Sequence, residues 1–410
     1  MGNFREGFPR PLRQVDKKKG DRAYYYVREG KKNKKVYLGL WKSKKARKEY
    51  DRRKRIFDAT GVILTNPVRN RPGISVRELA DRFSEWAVEN YVDSTGRRTR
   101  TEERYFAALS VVCELFGDIS ADSFDLECLE LIQTALIKKG TLCRKTINVR
   151  IRAIIHVFLW GARRRLVKFK TYEKLRIIES IAIGKRGTFD HPRVKAVPRS
   201  VVEATLPFLT PTVADMVRLQ LLTGARPEEI RIMRPVDLER VENGLWRYHP
   251  SHDKTSWARG EGERKEIPIG PKGIDIIIRN SLDLPTDSDK YVFRPEESFR
   301  DRIANDAQKR QTKITPSQLK RKQERAKNPR KFKPFFDSWA YYKAVSRACK
   351  KAGVPHWTPY QLRHLAATET VERHGWRKAQ LLLGHKNPDT TKIYVDENRK
   401  LLEELARKEG

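Results

Sequence analysis

The sequence predicts a multidomain, mainly α-helical protein, with a small β-rich N-terminal domain, a helical bundle after it, and a mixed α+β domain at the C-terminus. Three observations lead to this fold class. The chain has 410 residues, enough for two to four domains. Proline, glycine and basic residues mark linkers near 66–73 and 184–198. Elsewhere apolar residues recur mostly at helical spacing, and strand-like runs are short. The predicted domains are residues 1–62, 74–178 and 196–410.

The first predicted domain is small and strongly basic. Residues 1–60 carry 21 Lys and Arg against 7 Asp and Glu. Two β-rich runs, 24–28 and 35–39, flank a polar turn, which is the pattern of a β-hairpin. A lysine-rich run of helical composition follows at 42–55. A disordered basic tail is the alternative, but such tails are poor in aromatic residues and this segment is not. We therefore expect a folded domain that binds DNA.

The second predicted domain is a bundle of four or five helices with a basic outer face. Helices are expected near 75–90, 101–116, 126–138 and 144–164, where apolar residues keep to one side. The first of them begins with the spacing of a capping box. Candidate DNA-binding residues in the two N-terminal domains are Lys34, Lys35, Arg144, Lys145, Arg150 and Arg152.

The charge of the chain indicates the class of its partner. The sequence has 88 Lys and Arg against 52 Asp and Glu, a net charge of +36. Such an excess favours a polyanion, and double-stranded DNA in particular. A basic membrane-surface protein is the rival, but no stretch approaches the roughly 18 uninterrupted apolar residues of a membrane span. The four cysteines and eight histidines show no metal-ligand spacing, so we expect no metal, no other cofactor and a reducing compartment.

The third predicted domain contains two arginines suited to a phosphodiester. Arg226 precedes Pro227, which is favoured at a first helical position, so its guanidinium is expected at a helix start that already attracts an anion. Glu229 lies one turn further on and is a supporting candidate. Arg363 is expected early in a second helix, with Tyr360 on the same face at i, i+3. Fixed guanidiniums neutralise phosphate oxygens with paired hydrogen bonds.

A histidine and a late tyrosine complete the pattern. His385 follows a helix stop at Gly384, and its placement favours a hydrogen bond to the same phosphate. Tyr394 comes nine residues after His385, on a short helix, and a tyrosine can attack phosphorus and hold a DNA end covalently. His364 directly follows the second arginine and is expected to support the site by packing.

These segments resemble the tyrosine recombinase (phage integrase) family. The TGxRxxE pattern at 223–229 matches its first arginine box, Arg363-His364 its second box, and the interval from His385 to Tyr394 its spacing to the nucleophile. The resemblance implies a site-specific recombinase or integrase of a phage or other mobile element, which cleaves and rejoins DNA through a 3′-phosphotyrosine without ATP or a divalent metal. It also implies a helical bundle that clamps DNA opposite the catalytic domain. A homotetramer on DNA, a DNA-bending accessory protein, and a cytoplasmic, nucleoid-associated, prokaryotic or phage-encoded protein are further expectations.

The resemblance further implies a lysine on a β-hairpin that protonates the departing 5′ oxygen. Lys254 is the preferred candidate and Lys265 the competing one, because the turn between the expected strands is long. Tyr360 stands where the family more often has histidine. A neutral tyrosine is a poor proton acceptor, which leaves the general base open.

Two alternative functions use the same residues. A type IB topoisomerase would have the same nucleophile, although the basic N-terminal domain and separate bundle favour recombination between particular sites. A catalytically weak DNA-binding protein is the other alternative. Residues 309–333, with eleven Lys and Arg and one acid, are expected to form a mobile or DNA-tracking insertion. Residues 401–408 are expected to form an amphipathic helix that docks on a neighbouring protomer or on its own domain.

Overall fold

The computed structural model describes residues 8–16, 20–29, 32–65, 72–92, 96, 98–99, 101–251, 265–327, 330–385, 387–395 and 406–407. It divides into two compact units, Met1–Pro192 and Arg193–Gly410. Helices dominate both units, and each contains one small three-stranded sheet. The predicted mainly α class with a small N-terminal sheet is confirmed, whereas the exact limits of three domains stay a prediction.

The N-terminal part of the first unit is an antiparallel sheet covered on one face by a helix. Alternate residues of the middle strand, such as Tyr25, face the core, while Tyr24 and Tyr26 lie on the opposite face. Ser43 caps the helix by accepting a hydrogen bond from the backbone N–H of Ala46. The elements are β1 (Leu12–Gln14), β2 (Arg22–Glu29), β3 (Lys32–Leu40) and α1 (Lys44–Thr60), with strand order β1-β2-β3.

The rest of the first unit is a helical bundle around an apolar core. Phe83, Phe116, Phe124 and Phe158 are among its fully buried side chains. The four helices that the periodicity predicted are present, and a fifth, short helix follows them. They are α2 (Val76–Asn90), α3 (Thr101–Phe116), α4 (Leu126–Lys138), α5 (Arg144–Arg163) and α6 (Phe169–Arg176).

The second unit combines ten helices among its described residues with a β4-β5-β6 antiparallel sheet. Its core is built around Trp357, Tyr248, Phe293 and Tyr341, which are buried. The helices are α7 (Arg199–Thr205), α8 (Pro211–Thr223), α9 (Pro227–Arg231), α10 (Pro271–Asn280), α11 (Pro295–Gln308), α12 (Pro316–Lys327), α13 (Ser338–Ala352), α14 (Pro359–His374), α15 (Trp376–Leu383) and α16 (Pro388–Lys392). The strands are β4 (Leu238–Val241), β5 (Leu245–Tyr248) and β6 (Ile267–Ile269).

The basic stretch 309–333 contains α12, although its sequence lacks an apolar stripe. Lysine, arginine, glutamine and glutamate lose little side-chain freedom in a helix, so intrinsic propensity favours this helix even without an apolar stripe. The expected C-terminal helix at 401–408 lies almost entirely outside the described residues. In the described part of the chain, none of the helices is long and apolar enough to cross a bilayer.

Candidate active site

Two helix junctions place the first arginine. α8 ends at Gly224, whose φ of +62° is the left-handed conformation that stops a helix. Any Cβ there would lie 3.3 Å from Leu382 and Leu383 side-chain atoms, so glycine also permits a close approach to α15. Arg226 then precedes α9 directly, and its side chain is partly exposed at 20%. A guanidinium at this helix start can reach an anion in solvent.

The second arginine is held by backbone carbonyls. Arg363 lies in the first turns of α14 and is 0% exposed. Its guanidinium donates to the carbonyl oxygens of Gly224 at 2.6 Å and Leu383 at 2.8 Å. It thereby ties the ends of α8 and α15 together, next to Arg226. Burial and the charge of Arg226 lower the pKa of Arg363, as expected for two guanidiniums in one pocket.

A buried carboxylate braces the first arginine. Glu229 accepts from the Arg226 backbone N–H at 2.8 Å and from its guanidinium at 3.0 Å. The Lys265 ammonium lies 2.5 Å from the same carboxylate. Burial raises the pKa of Glu229, but Lys265 and Arg226 outweigh that effect and hold it below its usual value. Burial, with Arg226 and Arg363 nearby, lowers the pKa of Lys265 to about 8 despite Glu229.

The preferred general-acid candidate, Lys254, lies outside the described residues. β5 and β6 do pair as the expected hairpin, with Trp246 opposite Ile269 and Tyr248 opposite Ile267. Lys265 lies two residues before β6, and its ammonium is paired with the Glu229 carboxylate. Its contact with a buried acid gives it a bracing position, and the choice between the two lysines stays a prediction.

His385 lies between the second arginine and α16. Its Nε2 is 2.9 Å from Nη2 of Arg363, and its Nδ1 is 3.0 Å from Oγ1 of Thr391. Gln380 fixes the backbone, because its Nε2 donates to the His385 carbonyl at 2.9 Å. Burial and the charges of Arg363, Arg226 and Lys265 lower the pKa of His385 to about 4, so the ring is neutral at physiological pH.

The tyrosine lies over these groups. Tyr394 is 8% exposed, and its hydroxyl is 2.5 Å from that of Tyr360. Its ring centroid is 5.1 Å from the Arg363 guanidinium carbon, 5.1 Å from the His385 ring and 4.8 Å from the His364 ring. His364 therefore packs against the tyrosine, as expected for a supporting residue. Burial, and then the hydrogen bond with Tyr394, raises the pKa of Tyr360 to about 12.

The structure therefore brings together most of the sequence-predicted site. The residues that meet in one pocket are Arg226, Glu229, Tyr360, Arg363, His364, His385 and Tyr394. Sequence reasoning missed Thr391 and Gln380, which orient His385. A hydroxyl six residues after the histidine, on the short helix α16, was the available signal for Thr391. The expectation that this short helix carries Tyr394 is wrong, because α16 ends at Lys392 and the tyrosine lies in the turn that follows. In the part of the chain that the structure describes, no group of three His, Cys, Asp or Glu side chains could hold a metal ion.

The candidate DNA contacts of the first unit differ in their surroundings. Lys35 is exposed, and its ammonium lies 5.0 Å from the Tyr24 ring centroid and 5.9 Å from that of Tyr26. Lys34 is exposed on the same strand. Arg144, in contrast, is engaged by the Asp190 carboxylate at 2.6 Å. On the helix that Arg144 begins, Lys145 and Arg152 are exposed and Arg150 is half-buried.

A match to a family model identifies the family of the domain that contains this pocket. Residues 209–400, which contain every residue of the site, match the model of the phage integrase family. The matched domain belongs to the phage integrase family, and the match covers just under half of the chain. It is similar to tyrosine recombinase XerC of Corynebacterium glutamicum, 46% identical over 61 residues, which are 14% of this chain and 20% of the relative. It is also similar to tyrosine recombinase XerA of Pyrococcus furiosus, 28% identical over 227 residues, which are 53% of this chain and 64% of the relative. The chain thus matches less than two thirds of either relative.

Solved integrase structures share the fold. A lambda integrase tetramer bound to a Holliday junction matches with a TM-score of 0.54 at 13% identity, covering 91% of this chain and 93% of that one. The Tn1549 transposon integrase in complex with circular intermediate DNA matches with a TM-score of 0.51 at 17% identity, covering 80% and 96%. At these identities the likeness establishes the integrase fold.

Proposed function

We propose that the protein is a site-specific DNA recombinase that cleaves and rejoins strands through a phosphotyrosine at Tyr394. One observation carries the proposal: two arginines of different boxes share one pocket beneath the ring of a tyrosine. Among the described residues of this pocket, three cations, Arg226, Arg363 and Lys265, surround the carboxylate of Glu229. The pocket is therefore positively charged. A phosphodiester would balance that charge, and the tyrosine supplies the nucleophile.

The proposed reaction is a transesterification, in which one phosphate ester bond replaces another. The Tyr394 hydroxyl gives its proton to water as its oxygen attacks phosphorus, and the bond from phosphorus to the 5′ oxygen breaks. The departing 5′ oxygen takes up a proton, and the 3′ phosphate becomes linked to the tyrosine. Arg226 and Arg363 stabilise the charge that develops on the phosphate oxygens. A single arginine in comparable phosphoryl transfers contributes roughly 10³- to 10⁵-fold in rate. Because the phosphotyrosine retains the diester's free energy, a second 5′ hydroxyl can reverse the step without ATP.

We assign the proton donor for the departing 5′ oxygen to Lys254 and a positioning role to Lys265. The assignment rests on the engagement of Lys265 with Glu229, which keeps its ammonium occupied. A substrate whose bridging 5′ oxygen is replaced by sulfur separates the two roles, since a thiolate leaves without a proton far more readily than an alkoxide. That substrate should restore cleavage by Lys254→Ala and leave Lys265→Ala slow. If that substrate restored cleavage only by Lys265→Ala, Lys265 would be the proton donor and Lys254 the positioning residue.

Tyr360 is proposed to hold the nucleophile before DNA arrives. Its hydroxyl contacts that of Tyr394. Its raised pKa keeps the phenol protonated at neutral pH, so Tyr360 cannot take up a further proton. The geometry favours a hydrogen-bonding role over that of a general base. When a phosphate enters, the same hydroxyl can donate to a phosphate oxygen.

The exposed face of the N-terminal sheet is proposed as a second DNA contact. Arg22, Tyr24, Tyr26, Lys35 and Tyr37 line it, and the Lys35 ammonium lies over two of the tyrosine rings. Flat aromatics with cations between them suit a duplex groove, where the cations meet phosphates and the rings meet sugars. We also propose the exposed Lys145 and Arg152 of α5 as contacts of the first unit.

A role in integrating or excising a mobile element, and assembly as a tetramer on DNA, are further parts of the proposal. The Tn1549 transposon integrase supports the first part and the lambda integrase tetramer on a Holliday junction supports the second, since both share the fold. A DNA-bending accessory protein is a proposed additional partner.

A suicide substrate tests the central claim. Duplex DNA with a candidate site, nicked so that the cleaved end diffuses away, should trap a covalent adduct, and peptide mapping should place it on Tyr394. Tyr394→Phe should bind DNA with nearly unchanged affinity and form no adduct, while Tyr342→Phe, an equivalent change outside the site, should form it normally. An adduct in Tyr394→Phe would overturn the nucleophile assignment. Relaxation of supercoiled DNA without exchange between paired sites would favour the topoisomerase alternative.

A further inference from the structure

The hydrogen bonds of His385 define which of its nitrogens carries the proton. Arginine offers only N–H donors, so Nε2 of His385 accepts from Arg363 across 2.9 Å. A neutral imidazole then has its proton on Nδ1, which donates to Oγ1 of Thr391 across 3.0 Å. The ring is thus an acceptor toward the pocket and a donor toward α16. In this state His385 presents no N–H to a phosphate.

We propose that Thr391 is a positioning residue that sets the tautomer of His385 and lets it reverse when a DNA phosphate enters the pocket. The inference rests on the proposed function, since the phosphate that triggers the reversal is that of the DNA strand to be cleaved. It concerns a residue outside the arginine boxes, which acts through His385 and does not touch the phosphate itself.

The reversal follows from what each group can donate. A phosphate competes for Arg363, because a charged acceptor binds a guanidinium more strongly than a neutral imidazole nitrogen does. Nε2 then loses its donor and faces an anion, so the stable arrangement has the proton on Nε2, pointing at a phosphate oxygen. Nδ1 becomes an acceptor and needs a donor in its turn. The Thr391 hydroxyl supplies it by rotating, since a hydroxyl both accepts and donates.

The proton balance of the change is neutral. The imidazole carries one proton before and after, losing it from Nδ1 and gaining one at Nε2 by exchange with water. The threonine keeps its own proton and only turns it. No imidazolium forms, which suits a pocket where Arg226, Arg363 and Lys265 already oppose added positive charge.

The residues around His385 favour Thr391 as the hydrogen-bond partner of Nδ1 in both tautomers. The residue is 1% exposed, so water does not readily replace its hydroxyl. α16 is held in place by Arg193, whose guanidinium donates to the carbonyl oxygens of Lys392 and, at 3.0 Å, Val395. Gln380 donates to the backbone carbonyl of His385. Among the described residues, the hydrogen bond at Nδ1 of the His385 ring is made by the Thr391 hydroxyl.

Three variants and three measurements test the inference. Thr391→Val removes the hydroxyl while keeping the shape, Thr391→Ser keeps the hydroxyl, and Thr390→Val makes the same change at the preceding residue. Nitrogen NMR of the full chain with labelled histidine, without DNA, reports which nitrogen of His385 is protonated. Single-turnover cleavage of the nicked substrate reports the chemical step, and DNA binding is measured in parallel.

We expect the wild type, Thr391→Ser and Thr390→Val to show a protonated Nδ1, and Thr391→Val to lose that preference. Cleavage by Thr391→Val should fall about tenfold or more, the effect of leaving one buried polar group unpaired. Thr391→Ser and Thr390→Val should stay within about threefold of the wild type, and all should bind DNA alike. A wild type protonated on Nε2, a Thr391→Val variant with normal cleavage, or a Thr391→Ser variant as slow as valine would overturn the inference. If the wild type forms no adduct at all, the proposed function fails while the NMR comparison still decides the tautomer.

Discussion

Replacing Glu229 with glutamine should both destabilise the unit Arg193–Gly410 and slow strand cleavage. The carboxylate is 3% exposed and accepts three hydrogen bonds, one from the Arg226 backbone and one each from the charged side chains of Arg226 and Lys265. Removing one partner of a buried ion pair usually costs about 3–5 kcal/mol, because the other charge is left uncompensated. Glutamine retains one acceptor oxygen, so we expect a loss near the lower value, about 3 kcal/mol.

For a unit of this size 1 kcal/mol corresponds to about 2–4 °C, so the melting temperature should fall by roughly 6–12 °C. Differential scanning calorimetry of the full chain measures the shift. Glu228→Gln is the matched control, since Glu228 is the preceding residue of the same helix and its side chain is 62% exposed. The control should shift by less than about 2 °C, since it loses only an exposed pair with Arg231 worth about 0.5 kcal/mol.

Cleavage by Glu229→Gln should fall as well, because Arg226 loses the carboxylate that fixes its backbone and its guanidinium. Adding Lys265→Met should recover part of the stability, since the buried lysine charge that lost its partner is then removed. It should recover little of the rate, because Arg226 is still unbraced. A melting temperature within about 2 °C of the control would show that the buried charges are compensated elsewhere and would refute this reasoning.

The remaining predictions concern Tyr360, Lys265 and the N-terminal segment. Tyr360→Phe should slow single-turnover cleavage by about five- to hundredfold, because the hydroxyl is lost. Tyr360→His should keep or raise activity. If Tyr360→Phe cleaves normally and Tyr360→His is impaired, Tyr360 has only a packing role. Cleavage should also slow as the pH rises through about 8, because Lys265 is charged below its pKa and neutral above it, where it no longer pairs with Glu229. Lys265→Arg should remove this alkaline decline, and a decline that persists would belong to another group. Deleting residues 1–62 should weaken binding to long duplex DNA, while core-site cleavage is retained. The slope of log affinity against log salt concentration should fall by roughly 0.9 for each DNA phosphate that the shortened protein no longer neutralises. An unchanged slope would exclude the segment from DNA binding.

Local signals made the helix boundaries of the site predictable. Gly224 and Gly384 end helices in the left-handed conformation, and Pro227 and Pro359 begin them, as their sequence positions indicated. These effects act between residues a few positions apart, so they can be recognised without knowledge of the fold. The same holds for the helices of the first unit, whose apolar faces follow from periodicity.

Long-range contacts were not predictable in this way. Tyr360 and Tyr394 are 34 residues apart, and nothing local indicates that their hydroxyls meet. The sequence placed Tyr360 on the same helix face as Arg363, whereas the structure shows that its hydroxyl contacts that of Tyr394. Lys265 likewise lies 36 residues from Glu229, and its buried ion pair depends on where β6 passes α9.

The sequence by itself determined the candidate chemical groups, their order and the helix ends beside them, because each box combines its reactive residue with its own capping signals. Only the tertiary structure decided the protonation states of those groups. The lowered pKa of His385 and of Lys265 follows from burial and from cations at the start of α9, on α14 and just before β6. Desolvation and Coulomb interactions depend on distances through space, and packing sets those distances between elements that are far apart in the chain.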